Sequence, residues 1–300
     1  MKKFRNLACL FLALAMMFSL TACQSFEAKM TKAAAKMEKL QSYRMDLDMD
    51  MEMNLALLGE SMDMNMSMKG TSDVNTEPMR MKMDMSIEMM GDEIKMLTYG
   101  EKDGDAYVTY VSPDGGSTWA KQSVDAGEMP GFADKNEFGM LFKLVQSFEK
   151  TGTETIRGSE AVVYSGVIEG EQIDEALEMS GVLESLYESM NLGIDADKID
   201  FSAYGSIPTT IAFDSKSGMI VRYTMDMSEI MQNMLPAVMD EMMSSMISEA
   251  GLENFDLSTL GFKLEIGKVF VTAEFYDFDA VGTIEIPEAA KTAEEMQKAG

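Results

Sequence analysis

From Met45 the chain reads Met-Asp-Leu-Asp-Met-Asp-Met-Glu-Met-Asn-Leu, an alternation with a period of two. Only an extended strand with one covered face and one wetted face satisfies that pattern. Met45, Leu47, Met49, Met51, Met53 and Leu55 fall on one side, and Asp46, Asp48, Asp50 and Glu52 on the other. After Gly59 and Glu60 the apolar parity moves to Met62, Met64, Met66 and Met68, and after Pro78 to Met79, Met81, Met83, Met85, Ile87 and Met89. These are three successive strands, and alternation this clean belongs to antiparallel rather than parallel sheets. At about 3.3 Å per residue the run from Met45 to Leu57 extends roughly 40 Å, beyond the usual strand length. Long curved strands of this kind suit a half-barrel.

Further strands are predicted at Ile94 to Tyr99, Asp105 to Val111, Trp119 to Val124, Thr153 to Arg157, Ala161 to Ile168, Thr209 to Phe213 and Met219 to Met227, with a closing run from Phe262 to Ile286. Helical spacing appears at Phe26, Met30, Ala33, Met37 and Leu40, and again at Phe138, Leu141, Phe142, Val145 and Phe148 behind Asn136 as N-cap. A third helix is read from Gln172 to Met190, and a fourth opens at Ser228 and runs to Glu249, kinked or restarted at Pro236. The segment Ser112-Pro-Asp-Gly-Gly-Ser-Thr-Trp119 fits the Asp-box pattern of propeller proteins, but it occurs once and reads as a hairpin device.

Methionine is the compositional outlier: of 34, fifteen fall between Met45 and Met96 and nine between Met219 and Met246. Three readings of the methionine-bearing face stay open. One is simple core packing. A second is a plastic lining for apolar ligands, because Met has weaker strand preference than Val or Ile and more rotameric freedom. The third is Cu(I) binding by thioethers, a minor alternative against which the lack of His and of a free Cys counts. On the acidic face a solvated surface is expected, with Arg44, Lys69, Arg80 and Lys82 placed to relieve repulsion across the sheet. No twelve-residue calcium loop is present.

The chemistry of the chain is bounded by what it lacks. It contains no His, which removes Ser-His-Asp, Cys-His and His-ligated zinc sites. No Gly-rich phosphate loop opens a helix. The net charge of -26 disfavours nucleic acid, whose phosphates demand Lys and Arg. Neither an enzyme nor a cofactor or metal site is expected.

The start of the chain has Lys2, Lys3 and Arg5, then an apolar run from Leu7 to Leu20, too short for a membrane span. Leu20-Thr21-Ala22-Cys23 matches the bacterial lipobox, and that resemblance implies cleavage before Cys23 and diacylation of its thiol. Cys9 lies in the removed part, so the mature chain is expected to have no free thiol and no disulfide. Lys29, Lys32, Lys36 and Lys39 on the following helix are either a membrane-steering cluster or the polar side of an amphipathic helix.

Leu40-Gln41-Ser42-Tyr43 before the long strands, Glu154 to Tyr164, the hairpin Phe213 to Ile220 and the ending Ile284 to Ala290 carry a family likeness over most of the mature chain. The chain resembles the LolA-like superfamily of bacterial envelope lipoproteins, with its mycobacterial LppX/LprAFG-like relatives. The resemblance implies an α+β fold, a long curved antiparallel half-barrel with helices packed on its concave face, and an apolar ligand held by a generic lining. The expected organisation is a signal peptide over 1–22, a lipidated N-terminus and tether over 23–30, one half-barrel domain over 31–290 and a polar tail over 291–300. Met49, Met51, Met53, Met64, Met66, Met81, Met83 and Met85 are the candidate ligand lining. The expected protein is anchored in the cell membrane through Cys23, on the extracytoplasmic face, and binds or relays a lipid. The rival is a ligand-free surface or envelope-sensing protein whose protein partners the residues do not name.

Overall fold

A computed structural model describes residues 25–57, 59–125, 148–173, 203–236, 238 and 263–295. Within them the alternating runs become β1 (Ser42–Leu57), β2 (Glu60–Thr76) and β3 (Met79–Met89), each paired antiparallel with the next. The meander continues through β4 (Asp92–Asp103), β5 (Ala106–Ser112) and β6 (Ala120–Asp125). A second meander comprises β7 (Glu149–Ile156), β8 (Ser159–Glu169), β9 (Ser206–Asp214), β10 (Ile220–Asp226) and β11 (Lys263–Tyr276). The two halves join where β1 pairs with β11, giving the order β12-β6-β5-β4-β3-β2-β1-β11-β10-β9-β8-β7. The result is the α+β class with a large, open, curved antiparallel sheet consistent with a half-barrel. The short β12 (Glu294–Glu295) pairs parallel with β6 at one edge.

The apolar face of the second meander is covered by α1 (Phe26–Met37), whose Phe26, Met30, Ala33, Ala34 and Met37 are buried. Ser25 caps it, its hydroxyl accepting from the Ala28 amide at 3.3 Å. Phe26 stacks on Phe148 at 5.0 Å between ring centroids and meets Tyr164 at 5.2 Å. The Phe148 ring lies directly over Gly166, where a Cβ would sit 2.2 Å from Phe148 Cδ1. Any larger residue there displaces the ring. A second helix, α2 (residues 228–236), buries Ile230 and packs Met231 and Leu235 against Met51, Ile266 and Val269. The Ser228 hydroxyl accepts from the Val269 amide at 2.9 Å, tying α2 to β11.

The closing run departs from the expected single strand. β11 ends at Tyr276, because Asp277 and Asp279 adopt left-handed φ of 50° and 56° that turn the chain away. Residues 281–287 then cross as a strap to the acidic face of β4 and β5. There Ile284, Ile286 and, from α3 (Glu288–Lys291), Ala290 are buried against Tyr99 and Tyr110. Asn75 holds the strap, accepting from the Ile284 amide at 3.0 Å and donating to the Gly282 carbonyl at 3.2 Å. The acidic face is therefore partly covered rather than wholly wet.

The helices expected over 138–148 and 172–190, and the end of the helix from Ser228, fall mostly outside the described residues, as do the signal segment and Cys23.

The Asp-box segment is a turn organised around one carboxylate. Asp114 accepts from the Ser117 and Thr118 amides at 2.9 Å each and from the Thr118 hydroxyl at 2.8 Å. It also accepts from the Ser112 hydroxyl at 2.7 Å, and the Trp119 indole donates to the Gly116 carbonyl at 3.0 Å. These bonds, led by the Thr118 amide, pull the Asp114 carboxyl down to about 2. An unfolded Asp titrates near 3.9, so the stabilisation from Asp114 is complete above that pH and is lost as pH falls through about 2. Trp119 is the only tryptophan of the chain. Its emission is expected to shift red as pH falls through about 2, and at neutral pH in Asp114→Ala; an unshifted variant spectrum contradicts this role.

Candidate functional site: the methionine face

Strand register decides which side chains share a face, because directly paired residues of an antiparallel sheet point the same way. β1 and β2 pair Met49 with Met68, Met51 with Met66 and Met53 with Met64. β2 and β3 pair Gly70 with Met85, Ser72 with Met83 and Val74 with Met81. All eight candidate methionines therefore lie on one face of three adjacent strands, as the two parity switches require. They form two groups along the strands rather than one cluster. Met49, Met51, Met53, Met64 and Met66 occupy the end near the β1–β2 turn. Met81, Met83 and Met85 sit further along, level with Tyr43, Met45 and Leu47.

Burial separates these residues further. Met51 is 9% exposed, enclosed by Ile266, Val269 and α2, whereas Met49, Met53, Met64, Met66, Met81, Met83 and Met85 are only half-buried. Beyond them the turn end carries Met62, Met89, Met90 and Ile94 as exposed apolar residues. Met51 thus belongs to the core, and the remaining candidates form an accessible apolar floor. Three small residues on this floor escape a reading that follows methionine alone: Gly70 and Ser72 continue the β2 parity past Met68, and Gly100 faces Met81 on β4.

The opposite face is an ion-pair lattice. Asp46 accepts from the Thr71 hydroxyl at 2.8 Å and the Tyr276 hydroxyl at 2.9 Å, and it pairs with Arg157. Arg157 also meets Glu274 at 3.0 Å and stacks 3.6 Å above the Tyr276 ring. Burial raises the Asp46 carboxyl, but the bonds from Thr71, Tyr276 and Arg157 outweigh it and hold the group below its usual range. Arg44 pairs with Asp73 and with Asp277 at 2.8 Å, Arg80 with Glu101 at 3.2 Å, Lys82 with Asp84 at 2.6 Å and Lys69 with Asp48 at 3.9 Å. The cations expected to relieve the acidic rows do so. Arg157 and Arg222, the latter joining Glu154 and Glu274, arrive from the second meander. A shallow cavity of about 470 Å³ on this face is walled by the charged Asp46, Asp48, Lys69, Asp84 and Lys95 together with the apolar Leu97. Among the described residues no group of three or more Asp, Glu, Cys or His could hold a metal ion.

The lysines of α1 divide. Lys29 lies over the Tyr164 and Phe213 rings at 5.3 and 5.2 Å, and burial followed by nearby Lys150 lowers its ammonium pKa. Lys36 donates to the Ser217 carbonyl and, like Lys32 and Lys39 just beyond the helix, is exposed.

Truncations should separate core from floor. Met51→Ala is expected to cost about 2–5 kcal/mol in urea unfolding, the range for emptying a buried site. Met85→Ala, at a half-buried position, should cost less than about 1.5 kcal/mol. Equal losses contradict the division.

The comparisons with known proteins are these. The chain is similar in structure to LprF from Mycobacterium bovis, with 14% identity, a TM-score of 0.42 and coverage of 88% of this chain and 96% of that one. It is similar to the Mycobacterium tuberculosis lipoprotein LppX at 11% identity and a TM-score of 0.42, covering 86% and 97%. A DUF1329 family protein from Desulfovibrio piger follows at 8% identity and a TM-score of 0.23, covering 86% and 93%. No curated protein matches the chain. A family model matches residues 25–251, and the chain accordingly belongs to the family of unknown function DUF6612.

Proposed function

We propose that this protein is an extracytoplasmic lipoprotein, anchored through Cys23, whose methionine face binds and relays a lipid or another hydrophobic ligand. The observation that carries this reading is the half-buried floor of Met49, Met53, Met64, Met66, Met81, Met83 and Met85 on adjacent strands. Soluble proteins rarely leave broad apolar surface without a partner. Methionine suits a surface that must repack around ligands of varied shape, since its unbranched thioether chain adapts at little cost.

Residues 1–22 serve as the signal peptide and the lipobox Leu20, Thr21 and Ala22 directs cleavage, with the half-barrel as a single domain after a short tether. Support for a short tether comes from Phe26, which is already buried. Only Gln24 and Ser25 then stand between Cys23 and the packed helix. A domain held this near its anchor presents or relays ligand at the membrane rather than shuttling across an envelope.

Native mass spectrometry of the full chain recovered from bacterial membranes tests both parts. The expected result is a diacylglycerol mass on the peptide that begins at Cys23, absent in Cys23→Ser, together with non-covalently held lipid. A chain that carries no lipid and takes up no apolar probe contradicts the binding reading, and stoichiometric copper in the same sample would favour thioether chemistry instead.

A further inference from the structure

The part of the methionine face on β2, β3 and β4 is built as a ridge between two low flanks. Met81, Met83 and Met85 stand in a row on β3. On the β2 side they face Val74, Ser72 and Gly70, and on the β4 side Gly100, Thr98 and Met96. Two of these flanking positions are glycines in strand interiors, where glycine is normally disfavoured unless backbone conformation or crowding demands it. Neither demand exists here. Gly70 and Gly100 are not among the residues with positive φ. A Cβ on Gly70 would meet the Asp84 carbonyl oxygen at 3.5 Å and Met85 at 3.9 Å, and one on Gly100 would meet Met81 Cε at 3.7 Å, all ordinary contacts. The missing side chains leave troughs beside the ridge that the fold itself does not require.

A second observation lies in the β2 flank. Ser72 is 2% exposed, and among the described residues its Oγ has no hydrogen-bond partner. A buried hydroxyl is ordinarily satisfied, because leaving it unpaired away from water is costly. Its register neighbours on this face are Met45, which packs against the core under α1, and Met83, a half-buried and flexible side chain on the open side. Across β2 to β4 this face carries charge only towards its limits, at Glu60, Asp92 and Lys102, so a carboxylate lodged at Ser72 would have no cation beside it.

We propose that Ser72 and the glycines Gly70 and Gly100 form a ligand subsite, taking a long-chain lipid whose hydrocarbon lies in the troughs and whose uncharged oxygen, a hydroxyl or an ester carbonyl, bonds Ser72 Oγ. This deepens the lipid-binding reading and rests on it. Ser72 reads polarity on the ligand, and the two glycines set the room for its chain.

The test uses the full-length chain in its membrane with two photoreactive diazirine probes, a long-chain alcohol and the alkane of matching length. Both should label the wild-type methionine face. Ser72→Ala should cut alcohol labelling by about ten-fold, the value of one hydrogen bond, and leave alkane labelling unchanged. It should also raise the melting temperature of the ligand-free protein, since an orphaned hydroxyl is removed. Gly70→Val and, separately, Gly100→Val should reduce both probes to background while the protein stays folded, because β-branched residues suit strands. Wild-type labelling that persists unchanged in Ser72→Ala and in both valine variants overturns the subsite and leaves the lipid-binding reading standing. Failure of the wild type to take either probe overturns both.

Discussion

The structure depends on the pairing of β1 with β11. Among the described residues the two meanders, each built from neighbours in sequence, pair with one another only here, and this seam makes them a single sheet. β1 is flanked along its length by β2 and β11, so a slip of one residue at the seam would turn the methionines of β1 to β3 to the acidic side of the second meander and their carboxylates to its apolar side. On the acidic face Asp46 fastens the seam, gathering Thr71 from β2, Tyr276 from β11 and Arg157 from the β7–β8 turn. The register therefore fixes which side chains share the methionine face as well as the fold.

Around that seam the two halves of the apolar face are filled differently. Over β8 to β11, α1 supplies Phe26, Met30 and Met37 to an aromatic and aliphatic core. Over the seam itself α2 encloses Met51. Across β2 to β4 methionines are interspersed with glycine, Thr98 and Ile87, most of them half-buried, around the buried Val74 and Ser72. One half is packed for stability and the other is left soft. The ion pairs on the reverse side neutralise the acidic rows, although exposed pairs of this sort contribute modestly one by one.

The strands were legible because alternation at period two is a local signal, strongest in β1 to β3, where Met and Asp exchange places without interruption. The Asp-box was legible for the same reason, since its bonds run among residues 112–119. The strap was not. Ile284 and Ile286 alternate as a strand does, and only the left-handed turn at Asp277 and Asp279 sends them to the other face. Arg157 and Arg222 gave no warning of their roles, because their carboxylate partners are distant in sequence. Ser72 and Gly70 were hidden in plain parity: they occupy the apolar positions of β2, but a search for methionine stops at Met68.

The proposed lipid floor requires the β2–β4 half of the methionine face to be accessible while the α1 half is core. Limited peroxide oxidation followed by peptide mass spectrometry measures this residue by residue, since accessible thioethers become sulfoxides first. Met64, Met81, Met83 and Met85 are expected to oxidise ahead of Met30 and Met37, which are 2% and 3% exposed, and bound lipid is expected to protect the former group. Equal oxidation of the two groups, or no protection by lipid, would contradict it.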